Sequence, residues 1–171
     1  MRRFYRLSGV CLLAFGLMAL SAQAQSQAHS GEVLNRTQAS KWMPSTVFFR
    51  GQTRSTQERN SCGIRFAGGR LVLAALVNTS GYASDVRQSY QGYLLTEVAL
   101  NFNGHRLAPG AYGFGFVANS QFVALNLGGE TLWTTSTHAF HGRHPVPLEM
   151  LSTASGYELC SGLACVSFNR N

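Results

Sequence analysis

The sequence predicts an all-β fold: a single antiparallel β-barrel or β-sandwich domain with at most one short helical turn. Three observations lead there. Apolar and polar side chains alternate from Gly92 to Phe102, the period of a strand with one buried face. Turn dipeptides recur along the chain, among them Gly68-Gly69, Asn103-Gly104, Pro109-Gly110, Asn119-Ser120 and Gly128-Gly129, as expected for strands joined by tight connections. Only Ser84 to Tyr90 reads as a helical turn, with Tyr82, Val86 and Tyr90 at helical spacing and Ser84 placed to cap it.

The N-terminus precedes this domain. Arg2, Arg3 and Arg6 form a basic start, Leu7 to Leu20 is an apolar stretch of 14 residues, and Ala22-Gln23-Ala24 supplies a small-x-small cleavage pattern. Residues 1–24 therefore read as a signal peptide. The stretch is short of the roughly 20 residues of a membrane-spanning helix, and no other segment approaches that length. The expected location is periplasmic or secreted, with no transmembrane segment after cleavage. Cleavage removes three arginines and no acidic residue, which lowers a formal charge of +7 to +4. Residues 25–41 are polar and aperiodic and read as a flexible leader; residues 42–171 form the all-β domain.

Within that domain the strands follow in order. Val47-Phe48-Phe49 is a short apolar run, and Gly51 to Asn60 is polar. Gly63 to Phe66 leads into the Gly68-Gly69 turn, and Leu71 to Val77 is apolar throughout, which suits a strand buried on both faces. Leu94, Thr96, Val98, Leu100 and Phe102 share one face of the next strand, with Thr96 the single polar member. Asn103-Gly104 signals a hairpin, because both residues tolerate positive φ. Pro109-Gly110 has the composition of a type II turn. Tyr112-Gly113-Phe114-Gly115-Phe116 then places aromatic rings on one face and bare backbone on the other, open to close approach. Phe122 to Leu127, Thr131 to Thr135, Glu149 to Leu151 and Tyr157 to Phe168 complete the set.

After cleavage three cysteines remain. Cys160 and Cys165 flank Ser161-Gly162-Leu163-Ala164, a plausible four-residue hairpin loop, and are expected to pair as a disulfide in an oxidising compartment. Cys62 is left over as a buried, apolar side chain.

Few motifs carry chemistry. His138, His141 and His144 recur every three residues in Thr137–His144, and three imidazoles are a common zinc or copper set. Pro145 and Pro147 mark the segment as a loop, and no acidic neighbour in sequence orients the rings. Gly113-x-Gly115-x-x-Ala118 matches a dinucleotide fingerprint in letters alone, since strand aromatics stand where the motif needs a strand-to-helix turn. A Gly-x-Ser-x-Gly elbow is absent, Asp85 is the only aspartate, and the glutamates at 97, 130, 149 and 158 are scattered, which gives hydrolytic chemistry no support. Arg50, Arg54, Arg59, Arg65 and Arg70 concentrate within 21 residues and suit an anionic surface. Export and low overall charge argue against nucleic acid.

The segments Val-Phe-Phe-Arg-Gly-Gln (Val47 to Gln52), Arg65 to Tyr82 and Asn103 to Phe116 together resemble a group of short exported hypothetical proteins of Acidobacteria. Asn-Gly-x-x-Leu-x-Pro-Gly-x-Tyr is also similar to a β-hairpin in a broader family of exported bacterial proteins of unknown function. The resemblance implies export and β structure and carries over no catalytic residue.

The sequence thus favours a non-enzymatic exported β-domain with a ligand-binding or envelope structural role, without a cofactor. Its partner is expected to be a small apolar ligand or an envelope component, and Tyr112, Phe114 and Phe116 are the candidate ligand-binding residues. If the sheet closes as a barrel, its interior holds the ligand. Trp42 follows Ser40-Lys41, so the Gly-x-Trp of lipocalins is missing. The alternative is a metal-binding protein or metal-dependent enzyme built on His138, His141 and His144.

Overall fold

A computed structural model of the chain describes residues 31–171; the signal-peptide reading lies outside them. The elements run β1 (Glu32–Leu34), α1 (Arg36–Ala39), β2 (Thr46–Phe49), β3 (Gln52–Arg65), β4 (Leu71–Val77), α2 (Ser84–Ser89), β5 (Gly92–Thr96), β6 (Leu100–Phe102) and β7 (His105–Leu107). They continue with β8 (Gly110–Val117), β9 (Gln121–Leu125), β10 (Thr131–Ser136), β11 (His138–Ala139), β12 (Glu149–Thr153), β13 (Gly156–Ser161) and β14 (Ala164–Arg170). The strands form two antiparallel sheets. One has the order β1-β3-β4-β5-β8-β9-β10 with β2 added on β3, and the other β12-β13-β14-β6-β7 with β11 added on β14. They do not close into a barrel. Of the two arrangements the sequence left open, the stacked one stands.

The main core lies between the sheets. Ile64, Val72, Ala74, Leu94, Phe114 and Phe122 come from the first sheet, and Leu100, Phe102, Met150, Leu159, Val166 and Phe168 from the second. Phe102 stacks on Phe122 with ring centroids 5.6 Å apart and on Phe168 at 5.0 Å, so one aromatic side chain joins the two layers. Closely packed rings of this kind add about 0.5–1.5 kcal/mol per pair beyond their burial.

The first sheet also buries much of its outer face. Leu73, Ala75 and Val77 of β4 turn away from the inter-sheet core and are buried beneath α1, β2 and α2. Leu71–Val77 is therefore apolar on both faces, as its continuous run implied. Val86 of α2 is buried in one cluster with Tyr82, just before the helix, and Tyr90, just after it. The cap differs: Ala83 holds that position without a side-chain bond, and Ser84 is already helical.

Three other readings change. Residues 25–41 are not a leader throughout, because the chain is structured from Glu32. Leu34 and Ala39 are buried, and Asn35 and Gln38 form a reciprocal capping box that starts α1. Gly92–Phe102 is two strands rather than one. Thr96 donates its hydroxyl hydrogen to the Val98 carbonyl and accepts from the Val98 N–H, which satisfies the backbone at a corner where the chain leaves the first sheet for the second. The alternation survives the corner, since Leu94, Val98, Leu100 and Phe102 all reach the main core. The polar run after Gly51 is the start of β3, paired to β2 through a turn in which Arg50 and Gly51 both have positive φ. Pro109-Gly110 carries the chain back to the first sheet, and Gly110 has φ 158°, near the extended region and away from the left-handed value of a type II turn. Asn103-Gly104 turns as expected, with φ 48° and 95°.

Candidate functional site

The aromatic strand β8 is a packing element. Phe114 is buried in the inter-sheet core, with Tyr112 and Phe116 packed against it. Tyr112 donates its phenol hydrogen to the Ala108 carbonyl at 2.9 Å. The bare face is filled from the other side. A Cβ on Gly113 would stand 2.7 Å from a Phe49 ring carbon, and one on Gly115 would stand 2.3 Å from the Ser89 carbonyl oxygen. The glycines thus admit the Phe49–Tyr90 stack and the end of α2 against the sheet, and the close approach that β8 permits is taken up by the protein itself.

The three loop histidines are not gathered into one group. His138 lies on β11, while His141 and His144 are exposed in the loop that follows. The fold instead supplies the acidic neighbour that the sequence did not show: His138 Nε2 is 3.1 Å from Glu158 Oε1. Cys165 completes a group of potential ligand atoms within 4.8 Å of one another, but its sulfur is bonded to Cys160. One imidazole and one carboxylate then remain, fewer than the three protein ligands of a catalytic zinc site.

Cys160 and Cys165 face each other across the β13–β14 hairpin with a Cα separation of 4.1 Å, the close spacing of a non-hydrogen-bonded pair. Ser161 still pairs with Ala164, so the connection is the two-residue turn Gly162-Leu163 rather than a four-residue loop. Gly162 has φ 58°, where glycine is favoured. Cys62 is buried in the main core. Burial first, and the nearby Glu149 carboxylate second, push its thiol well above the ordinary value, so it is not a thiolate nucleophile.

The arginine run is dispersed. β3 spans 14 residues and carries Arg54, Arg59 and Arg65 along its length, while Arg50 precedes it and Arg70 follows it. Arg54 lies over the Tyr82 ring and bonds Gln52, Arg65 pairs with Glu32 at 3.9 Å, and Arg70 donates to the Glu97 carbonyl. They do not form one anion-binding face.

An apolar depression does open on the outer face of the first sheet, where the four-residue α1 falls short of covering it. It encloses about 290 Å³. Leu71 and Leu73 of β4 and Leu95 of β5 line it, Trp42 walls it, and Thr96, Glu97 and Gly110 close its end. Trp42 is 57% exposed, and the local chain explains why. The turn after α1 is held by the N–H groups of Trp42 and Met43, both donating to the Ala39 carbonyl. Ala39 and Met43 occupy the inward positions of that turn and are buried, which leaves the indole outside. Pro44 fixes the exit, its carbonyl accepting from the Thr56 hydroxyl at 2.6 Å. At the other end Glu97 Oε2 accepts from the Leu71 N–H at 2.8 Å, so that carboxylate serves the strand end.

The chain matches no protein-family model, no curated protein and no solved structure.

Proposed function

We infer that this chain is an exported, non-enzymatic β-domain that binds a small apolar molecule bearing a flat ring, in the depression between Trp42 and the leucines of β4 and β5. The exposed indole of Trp42 over an apolar floor carries this reading. An indole held on a braced turn offers a large stacking face with little rotamer entropy to lose on binding, and it gives more contact per residue than an aliphatic side chain. The 290 Å³ volume sits at the small end of ligand pockets and fits a single substituted ring or a fused pair. The absence of an activated nucleophile among the residues around it agrees with binding rather than turnover.

The expected affinity is modest. Covering about 200 Å² of apolar surface at about 25 cal/mol per Å² gives about 5 kcal/mol before ordering costs, which corresponds to dissociation constants from about 0.1 mM upward. Calorimetric titration with indole and naphthalene-type probes tests it. Saturable binding is expected, weakened about tenfold or more by Trp42→Ala, the loss of roughly 1.4 kcal/mol of stacking and contact. Equal binding by the Trp42→Ala protein sinks the proposal.

A further inference from the structure

The middle of β3 leaves regular pairing. Thr56 pairs with Val77 and Ser61 with Ala75, so five steps along β3 are matched by only two along β4. The unpaired stretch, residues 57–60, carries three residues more than the facing strand, bulges outward and is braced from within. Asn60 Nδ2 donates to Gln57 Oε1 at 2.7 Å, and the Ser61 hydroxyl donates to the Glu58 carbonyl at 2.7 Å. Bulges of this kind recur beside binding and active sites, where they re-aim side chains. Here the bulge walls an open cleft of about 770 Å³ whose lining includes Arg36, Arg59 and Pro147.

Two features of its lining bear on what this cleft binds. Arg36 and Arg59 have no acidic or hydrogen-bonding partner for their guanidinium groups among the described residues, whereas Arg54, Arg65 and Arg70 are all engaged. Hydrogen-bonding capacity is also left unused around them, at the Ser55 hydroxyl and the Asn78 side-chain N–H₂. Glu58 is the one carboxylate in the lining, and the lining holds no aromatic side chain. The cleft therefore offers excess positive charge and neutral hydrogen-bonding groups, and no stacking platform.

We propose that this cleft binds an acidic sugar: a hydroxyl-rich ring carrying one carboxylate. A guanidinium grips a carboxylate with two parallel hydrogen bonds, and amides and hydroxyls suit the ring hydroxyls. A bare phosphate ion engages the arginines and leaves the other groups unused, and a neutral sugar leaves the arginines unpaired. The site is independent of the Trp42 depression and takes the opposite ligand chemistry.

Calorimetric titration of the full chain with glucuronate, glucose and inorganic phosphate tests the assignment. Saturable glucuronate binding is expected, with glucose and phosphate each at least about tenfold weaker. Arg59→Gln, at an exposed position that leaves the fold intact by circular dichroism, should weaken glucuronate about tenfold, and Trp42→Ala should leave it unchanged. The assignment is overturned by an absence of glucuronate saturation, by glucose or phosphate binding as tightly as glucuronate, or by unchanged affinity in Arg59→Gln. Loss of glucuronate binding in Trp42→Ala would also overturn it, because the two sites would then be one.

Discussion

Phe49 and Tyr90 stack with ring centroids 3.7 Å apart and planes 10° apart, in the space left by the missing side chain of Gly113. The pair fastens β2 and the end of α2 to the outer face of β8. Two residues along, on the same face, Gly115 lies against the Ser89 carbonyl oxygen, which a Cβ would approach to 2.3 Å. That neighbour is backbone and cannot rotate away. Gly115→Ala is expected to destabilise the protein by about 1–3 kcal/mol, the range of overpacking. Urea denaturation checks it, and a loss below about 0.5 kcal/mol would show that α2 is not pinned there.

This stack also shows what was legible in the sequence. The Tyr112–Phe116 pattern announced a strand with one aromatic and one bare face, and the structure has that strand. It did not announce what fills the bare face, because Phe49 and Tyr90 arrive from distant segments. The same holds for the candidate site. Trp42, Leu71 and Leu95 are adjacent only after β4 and β5 pair, and a lone Trp in a polar stretch has no period to reveal it. Local signals that need no partner were readable: the Asn103-Gly104 turn, the alternation reaching Phe102 and the cysteine hairpin. The corner at Thr96 was hidden because alternation continues through it, and β3 was hidden because its first half is polar on a two-stranded ribbon beside α2.

The β13–β14 clasp closes a very short loop, so its contribution to stability is about 2 kcal/mol in the chain-entropy picture. Cys160→Ala with Cys165→Ala should lower unfolding free energy by about that amount. Peptide mapping of the native protein should recover Cys160 linked to Cys165, with Cys62 alkylated only after denaturation. Early labelling of Cys62 would contradict its burial.

The capping box at Asn35 is expected to hold the start of the domain in place. Asn35→Ala removes the acceptor for the Gln38 N–H and should cost about 1 kcal/mol. Hydrogen exchange read at residues 32–40 should quicken while the β4 and β5 amides keep their protection. Uniform loss of protection would instead place this segment within the global folding unit.

Burial holds the Glu149 carboxyl above its ordinary range, and its Oε1 has no hydrogen-bond partner. The folded state therefore binds this proton more tightly than the unfolded chain does. Its contribution is fully present below the unfolded carboxylate value and is lost as pH rises through the raised folded one. Glu149→Gln is neutral in both states, so its Tm should gain on the wild type between about pH 4 and pH 7. A constant difference across that range would show that the carboxyl titrates alike in both states.

Methyl-detected NMR with leucine labelling, during titration with an indole probe, reads the Trp42 depression directly. Saturable shifts at Leu71, Leu73 and Leu95, together with the Trp42 indole resonance and with Leu100, Leu107 and Leu159 of the core unmoved, are the expected result. Shifts spread through the core leucines, or none at saturating probe, would contradict ligand binding at this surface.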